Sequence, residues 1–437
     1  MVIKIHRGQN QIGGSIIEIS TESTRVVFDV GINLDETECV KIPAIEGLFQ
    51  GDPLYDAVII SHYHSDHIGL LNYLLGGIPI YIGKQAFSVV QAASSYTNRE
   101  IMYEPHLFEE NESIAIGDLA IYPYRCDHSA LDSYMFLITD GQKTILYTGD
   151  FRANGRMDYQ ELLNKLPAVD ALIVEGTTLT RETYKNNIEE EELENVAMSK
   201  IRDYPGPVFF MTSAMNVERM VTAYNIAHRD HRLFLEDLYS AEILNAIGFN
   251  TEKRNDIRVF MTGGDKQYQK LKKYKDIKIS KYEIAKISFV MCIRQSMKNY
   301  LEKLNELVSF ENGVLFYGMW KGYMEQTDMK EFLRFMEIKG VKIHILHTSG
   351  HADSFSIERL IKAVRPHYII PVHTEKAKWF EKFESSHTIY ESTIELYGLS
   401  NFTVIIEIQH SYRFYMGLSH CYTLHCQILT AVSLFPY

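Results

Sequence analysis

The sequence lacks long hydrophobic runs, is poor in cysteine and carries no excess of basic residues. Its longest late apolar run, Ile428 to Phe435, falls far short of the roughly 20 residues that a bilayer-spanning helix requires. No membrane span is expected. The five cysteines, Cys39, Cys126, Cys292, Cys421 and Cys426, are odd in number and widely scattered, which does not fit a disulfide framework. A reducing, cytoplasmic setting is expected instead. Lys4, His6 and Arg7 interrupt the start before an apolar stretch can form, which argues against a cleaved secretion signal. Acids outnumber bases 56 to 44, a formal net charge of −12, which argues against indiscriminate polyanion binding and confines any nucleic-acid contact to a groove.

What is present is a large core and a dense set of ligand-type residues. With 437 residues, 46% of them hydrophobic, the chain should fold as two or three globular domains. The stretch Ser61 to Gly69, SHYHSDHIG, holds three histidines and an aspartate in six positions. At this chain's composition such a cluster arises by accident in roughly one chain in a thousand. It follows the β-branched run Asp56 to Ile60 and precedes Ile68 to Leu75, which reads as a helix ended by Gly76-Gly77. The cluster therefore sits on a strand-to-helix loop, where α/β proteins gather catalytic groups. In an extended loop His62 and His64 point to one side, while Asp66 and His67 turn another way, so one peptide can serve two adjacent cations.

Other strand-like runs end the same way. Arg25 to Phe28 runs into Asp29, Thr144 to Tyr147 into Asp150, Ala171 to Val174 into Glu175, Val341 to Leu346 into HTSGHAD with His351, and Tyr368 to Val372 into His373. His6, His344 and His347 fall near strand ends too, but no motif claims them and they read as structural.

The order of DVG at Asp29, HYHSDH at His62 to His67, CDHS at His128 and TGDF at Asp150 resembles the metallo-β-lactamase superfamily. Glu175 in VEGTT, His351 in HTSGHAD and His373 in PVHTE resemble the three further motifs of its β-CASP nuclease subgroup, which includes RNase J and the messenger-RNA 3′-end endonuclease. The resemblance covers residues 1 to about 408. It implies a four-layer αββα sandwich with a smaller inserted α/β cap. It implies two zinc ions, with manganese or magnesium as alternatives: His62, His64 and His128 on one, Asp66, His67 and His373 on the other, Asp150 between them, and Asp29 as support. It further implies attack on phosphorus by a hydroxide held between the ions, with Asp66, Glu175 and His351 among the catalytic groups. His351 would be the general acid and Glu175 its orienting partner, leaving 5′-phosphate and 3′-hydroxyl ends. Histidine at the last motif points to single-stranded RNA as substrate. Endonuclease and 5′-to-3′ exonuclease action both stay open, because neither the long C-terminal domain nor the KH domains of some relatives can be recognised. A hydrolase of small phosphodiesters or lactones, and a non-catalytic RNA-binding subunit, are the competing functions.

The expected organisation is a sandwich half at 1–178, a cap at 179–340, the returning sandwich at 341–410 and a tail of unknown role at 411–437. In the cap, Glu189 to Glu192 reads as an acidic surface, Lys266 to Lys286 as a solvated amphipathic helix or an RNA-stacking surface, and Trp320 as core. The loop TSAMN, Thr212 to Asn216, reads equally as a phosphate cradle or an ordinary helix cap. Thr374 stands where the family shows glycine and is expected to narrow or hydrogen-bond the loop presenting His373. The tail's His420-Cys421 and His425-Cys426 pairs read as a packed or dimerising segment, with a homodimer as an open partner.

Overall fold

Runs such as Arg25–Phe28, Ala57–Ile59, Thr144–Tyr147 and Ala171–Val174 are strands buried on both faces, and a strand of that kind needs a layer on either side. The computed structural model describes residues 1–34, 40–180, 187–263, 269–390 and 392–395. In it one seven-stranded sheet runs in the order Thr393–Glu395, Val2–Arg7, Ile16–Ser20, Arg25–Phe28, Ala57–Ile59, Ile80–Gly83, His106–Phe108. A second runs His387–Thr388, Tyr368–Pro371, Ala171–Val174, Thr144–Tyr147, Ser133–Thr139, Leu119–Cys126, Ile114–Ile116.

Alternate residues divide between two cores. Ile17, Ile19, Val26, Phe28 and Ile59 of the first sheet meet Ile121, Phe136, Ile138, Ile145 and Ile173 of the second. The Phe28 ring lies 5.4 Å from that of Phe136 and 5.7 Å from that of Tyr147. Their neighbours point outward: Val27, Val58 and Ile60 pack with helix Lys84–Thr97, and Met135, Leu146 and Leu172 with helices Tyr159–Lys165 and Ser354–Val364. The result is the four-layer αββα sandwich. A one-residue slip would turn Ile17 and Ile19 away from their core.

The inserted unit is a six-stranded sheet, ordered Ile257–Phe260, Leu233–Asp237, Phe289–Ile293, Val208–Met211, Val314–Tyr317, Lys342–Ile345, with every pairing parallel. Lys342–Ile345 moves the expected junction at 340. It was expected to open the returning sandwich, yet it pairs with Val314–Tyr317, so the cap sheet reaches 345 and the sandwich resumes through HTSGHAD. Its half-exposed residues suit an edge with one neighbour.

Four further expectations change. The helix expected over 68–75 is Ser65–Ile68 followed by a 3₁₀ turn at Leu71–Tyr73. Its ladder stops because other partners take the backbone groups: Ile32 and Val30 N–H donate to the carbonyls of Ser65 and His67, Ser15 N–H donates to that of Asp66, and Leu70 N–H donates to Val30. Glu190 is not part of an acidic surface; it is 0% exposed, accepting from Arg219 Nε at 2.6 Å, Arg152 Nη1 at 3.2 Å and Thr222 Oγ1 at 2.9 Å. Trp320 is 46% exposed rather than core. Within Lys266 to Lys286 the described residues form short pieces, a 3₁₀ turn at Lys272–Tyr274 and a helix at Lys281–Ile284, with Tyr274 buried and Tyr282 exposed. TSAMN ends in an ordinary cap, the Asn216 side chain accepting from Arg219 N–H at 3.1 Å. Residues 411–437 lie outside the described residues, and no described helix is long and apolar enough to cross a membrane.

Two measurements check this account. Glu190→Ala removes the buried carboxylate that Arg219 and Arg152 share and should cost about 3–5 kcal/mol in urea unfolding; a loss near zero would show that those pairs do not hold the junction. Glu236, fully buried with neither carboxylate oxygen partnered, is pushed by burial up to about 8 from 4.5. The unfolded chain releases that proton at lower pH than the native state, so stability should fall as pH rises from 4.5 to 8 and level off above. Glu236→Gln should flatten that fall, and an unchanged pH profile would refute it.

Candidate metal centre

Asp29 follows its strand in the left-handed region, at φ 60°, and braces the ligand loop. Its carboxylate accepts from Ser61 N–H and Ser61 Oγ, each at 2.8 Å, from Tyr147 OH at 2.6 Å and from His67 Nδ1 at 2.8 Å. Gly31 lets the DVG segment lie against the ligand turn, since a Cβ there would fall 1.6 Å from the Asp66 carbonyl oxygen. At the far strand ends, Gly149 turns the chain into Asp150 at φ 51°, and His373 adopts the left-handed region at φ 49°, where a non-glycine residue is rare. The His373 N–H donates to Gly8 O at 2.7 Å.

The strand ends converge. His62, His64 and His128 offer ligand atoms within 4.8 Å of one another, as do Asp66, His67, Asp150 and His373, and also Asp150, Glu175, His351 and His373. Asp150 Oδ2 lies 4.0 Å from His62 Nε2 and 3.3 Å from His67 Nε2, so it stands between the first two groups. All the expected ligand residues are therefore in one place, contributed by both halves of the sandwich.

The donor set fits a cation. His62 Nε2, His67 Nε2, Asp66 Oδ1 and Asp150 Oδ1 are buried with no hydrogen-bond partner, and orphaned polar atoms at that density are costly unless something else satisfies them. Burial and the neighbouring imidazoles push His62 and His128 well below the ordinary imidazole range, and burial lowers His64 to about 4. All three shifts favour the neutral ring, whose lone pair a cation needs. Against the pull of burial, Asp150, Asp66 and Asp29 hold His67 well above that range, and Asp150 with Asp66 raises His373. Asp66 and Asp150 are themselves held below the carboxylate range despite burial, chiefly by His67 and His373. Both upward shifts come from the carboxylates whose charge a cation would otherwise offset.

Glu175 is buried, its Oε1 accepting from Phe151 N–H at 2.9 Å and its Oε2 from Thr177 N–H at 3.3 Å. His351 Nδ1 lies 3.2 Å from Glu175 Oε2 and 3.5 Å from Asp150 Oδ2, without hydrogen-bond alignment to either. At 21% exposure its side chain is the group that reaches solvent beside buried Asp150 and Glu175. Thr374 Oγ1 donates to Gly176 O at 2.8 Å, which ties the loop of His373 to that of Glu175. The unclaimed histidines have partners elsewhere: His6 with Glu18 at 2.8 Å, His344 with Tyr204 at 2.9 Å and His347 with Gly318 O at 3.2 Å.

Sequence reasoning missed Ser61 and Tyr147 beside Asp29, and Arg152 beneath the ligand loops. Arg152 donates to Asp127 Oδ1 at 2.5 Å, to Glu218 and to Ser349 O at 3.5 Å. A signal existed, because Asp127 and Arg152 flank the ligand positions His128 and Asp150.

Two family models match the chain, a beta-lactamase superfamily domain over residues 24–233 and a Zn-dependent metallo-hydrolase RNA specificity domain over residues 336–388. Ribonuclease J 1 of Streptococcus pyogenes is 21% identical over 402 residues, covering 84% of this chain and 67% of that protein. The chain belongs to the metallo-β-lactamase superfamily, in its RNase J-like β-CASP group. Ribonuclease J of Helicobacter pylori is 22% identical over 84% of this chain and 55% of its own length. An RNase J-like protein of Methanocaldococcus jannaschii is 27% identical over 195 residues, 40% of this chain and 42% of that protein. The chain thus spans only part of each of these curated relatives. A crystal structure of a protein of unknown function from Enterococcus faecalis superposes with a TM-score of 0.73 at 19% identity, over 89% of this chain and 97% of that one, a likeness of fold.

Adding zinc to metal-stripped protein should raise its thermal midpoint, since a cation at 100 times its Kd stabilises by about 2.7 kcal/mol. The gain should shrink as pH falls, because His67 and His373 must shed protons to bind. No shift with zinc, manganese or magnesium would remove the metal assignment.

Proposed function

We propose that this chain is a metal-dependent ribonuclease acting on single-stranded RNA. Two zinc ions would be held by His62, His64 and His128 and by Asp66, His67 and His373, with Asp150 shared. When bound, such ions acidify a coordinated water and offset charge on the phosphoryl group. The observation that carries the reading is the position of His351, a solvent-reaching imidazole 3.5 Å from buried Asp150 and 3.2 Å from buried Glu175.

Its role follows from hydrolysis. The departing ribose 3′-oxygen needs a proton, and His351 can supply one from a ring nitrogen on the open side of the site. Glu175, fixed by two backbone N–H groups, stands with its carboxylate 3.2 Å behind Nδ1 of that ring, on the side away from solvent. Cleavage of this kind leaves 5′-phosphate and 3′-hydroxyl ends.

The cap supports a polymeric substrate over a small one. Its strands run parallel, so Met211, Tyr317 and Ile345 end on one edge of the sheet, and the loops that follow them approach the site. Tyr63, between two ligand histidines, donates from its hydroxyl to Met215 O in the TSAMN loop at 2.8 Å. His351 itself lies on the segment after Ile345. Loops of both sandwich and cap thus border the site, which favours a substrate long enough to touch both.

Purified protein incubated with 5′-labelled single-stranded RNA should cut it, and chelator should abolish the cutting. His351→Ala should retain RNA binding while cleavage falls about 10²- to 10⁴-fold. Faster turnover of a small diester or lactone would displace RNA as substrate, and RNA binding without cleavage under any metal would make the chain a non-catalytic subunit.

A further inference from the structure

We infer that Thr177 is a positioning residue that decides which nitrogen of His373 faces the metal centre; the inference rests on the metal reading above. A ligand imidazole must present a lone pair, so its other nitrogen must carry the proton, and the group behind the ring selects that tautomer.

Three other rings show how the selection is made here. His67 Nδ1 meets Asp29 Oδ2 at 2.8 Å, and His128 Nδ1 meets the carbonyl oxygen of Gly350. A carboxylate and a carbonyl only accept, so both rings carry the proton on Nδ1 and turn Nε2 inward. Behind His62 stands a hydroxyl, Ser61 Oγ, 3.1 Å from Nδ1. Its single proton goes to Asp29 Oδ2 at 2.8 Å, which leaves a lone pair to accept from Nδ1.

His373 repeats the Ser61 device with a residue from another strand end. Thr177 Oγ1 lies 2.7 Å from Nδ1 of His373 and 3.3 Å from the carbonyl oxygen of the same residue. The carbonyl accepts and cannot donate, so it gives the one hydroxyl proton a place to go and frees Oγ1 to accept from the ring. Nδ1–H then donates to Oγ1; Nε2, which without a cation donates to Asp66 Oδ2 at 3.0 Å, is the nitrogen left to face a cation once one occupies the space between them. The arrangement is buried on all sides, with Thr177, His373 and Thr374 all out of solvent. Water therefore has little access to replace a missing hydroxyl. Thr374 holds the same two loops together through Gly176, but it does not touch the ring nitrogen, so tethering and tautomer selection fall to different residues.

The test compares wild type, Thr177→Val, Thr177→Ser and Thr374→Gly. Each is stripped of metal and titrated with zinc against a chelator, then with cobalt followed by its absorption spectrum. Thr177→Val keeps the shape of threonine and lacks the hydroxyl; it should bind one metal equivalent about 10- to 100-fold more weakly and alter the cobalt spectrum. Thr177→Ser should restore both, and Thr374→Gly should keep wild-type metal affinity. If circular dichroism shows Thr177→Val to be unfolded, Thr177→Ala is read in its place. Wild-type affinity and spectrum in the hydroxyl-free variant, or an equal loss in Thr374→Gly, would overturn the role of Thr177 while leaving the metal centre intact. Failure of the wild-type chain itself to bind metal would overturn both.

Discussion

Four carboxylates out of reach of solvent, Asp29, Asp66, Asp150 and Glu175, meet at one end of the two facing sheets, and the rest of the site is arranged around their cost. A buried anion without partners is strongly unfavourable. Asp29 is satisfied by the chain, with donors from Ser61, His67 and Tyr147. So is Glu175, through the N–H groups of Phe151 and Thr177. Asp66 and Asp150 are not, each keeping one oxygen with no hydrogen-bond partner. The protein thus completes the shells of its supporting acids and leaves those of its candidate ligand acids open. That difference separates a bracing carboxylate from a metal-binding one more sharply than position in a motif does.

Much of this was legible because the site is built from strand ends. A short β-branched run followed at once by Asp, Glu or His is a local pattern, and Arg25–Phe28, Ala57–Ile59, Thr144–Tyr147, Ala171–Val174 and Tyr368–Pro371 all end at residues of the site. Their continuous hydrophobicity also announced burial on both faces, and hence a layered sandwich. The pattern says nothing about which sheet a strand joins. Lys342–Ile345 alternates polar and apolar residues and pairs with the cap, and its register against Val314–Tyr317 is a tertiary fact.

The other differences share that origin. The helix after His67 stops early because its carbonyls are claimed by residues 15, 30 and 32, partners that no local window contains. Glu190 sits in a run of four glutamates that reads as solvated, and it is buried because Arg152 and Arg219 come to it from segments before and after. Trp320 was expected in the core because aromatics of a cap mostly pack, yet it lies on the loop after Val314–Tyr317, edge-on to Tyr323 with ring centres 5.3 Å apart. Sequence reported residue types and periods faithfully; it could not report charges meeting across long separations.

Those long-range charges bear on how the cap behaves. Arg152 joins Asp127, beside the candidate ligand His128, to Glu190 and Glu218 of the inserted segment and to the Ser349 carbonyl, near His351. Arg219 adds Glu190 and the carbonyls of Gly318 and Thr348. Swinging the cap away from the sandwich would pull these groups apart, and each separated buried ion costs several kcal/mol. The same displacement would disturb the segments carrying His128 and His351, so the geometry of the centre is tied to the seating of the cap. An access route that leaves the junction closed is therefore energetically favoured over one that opens it.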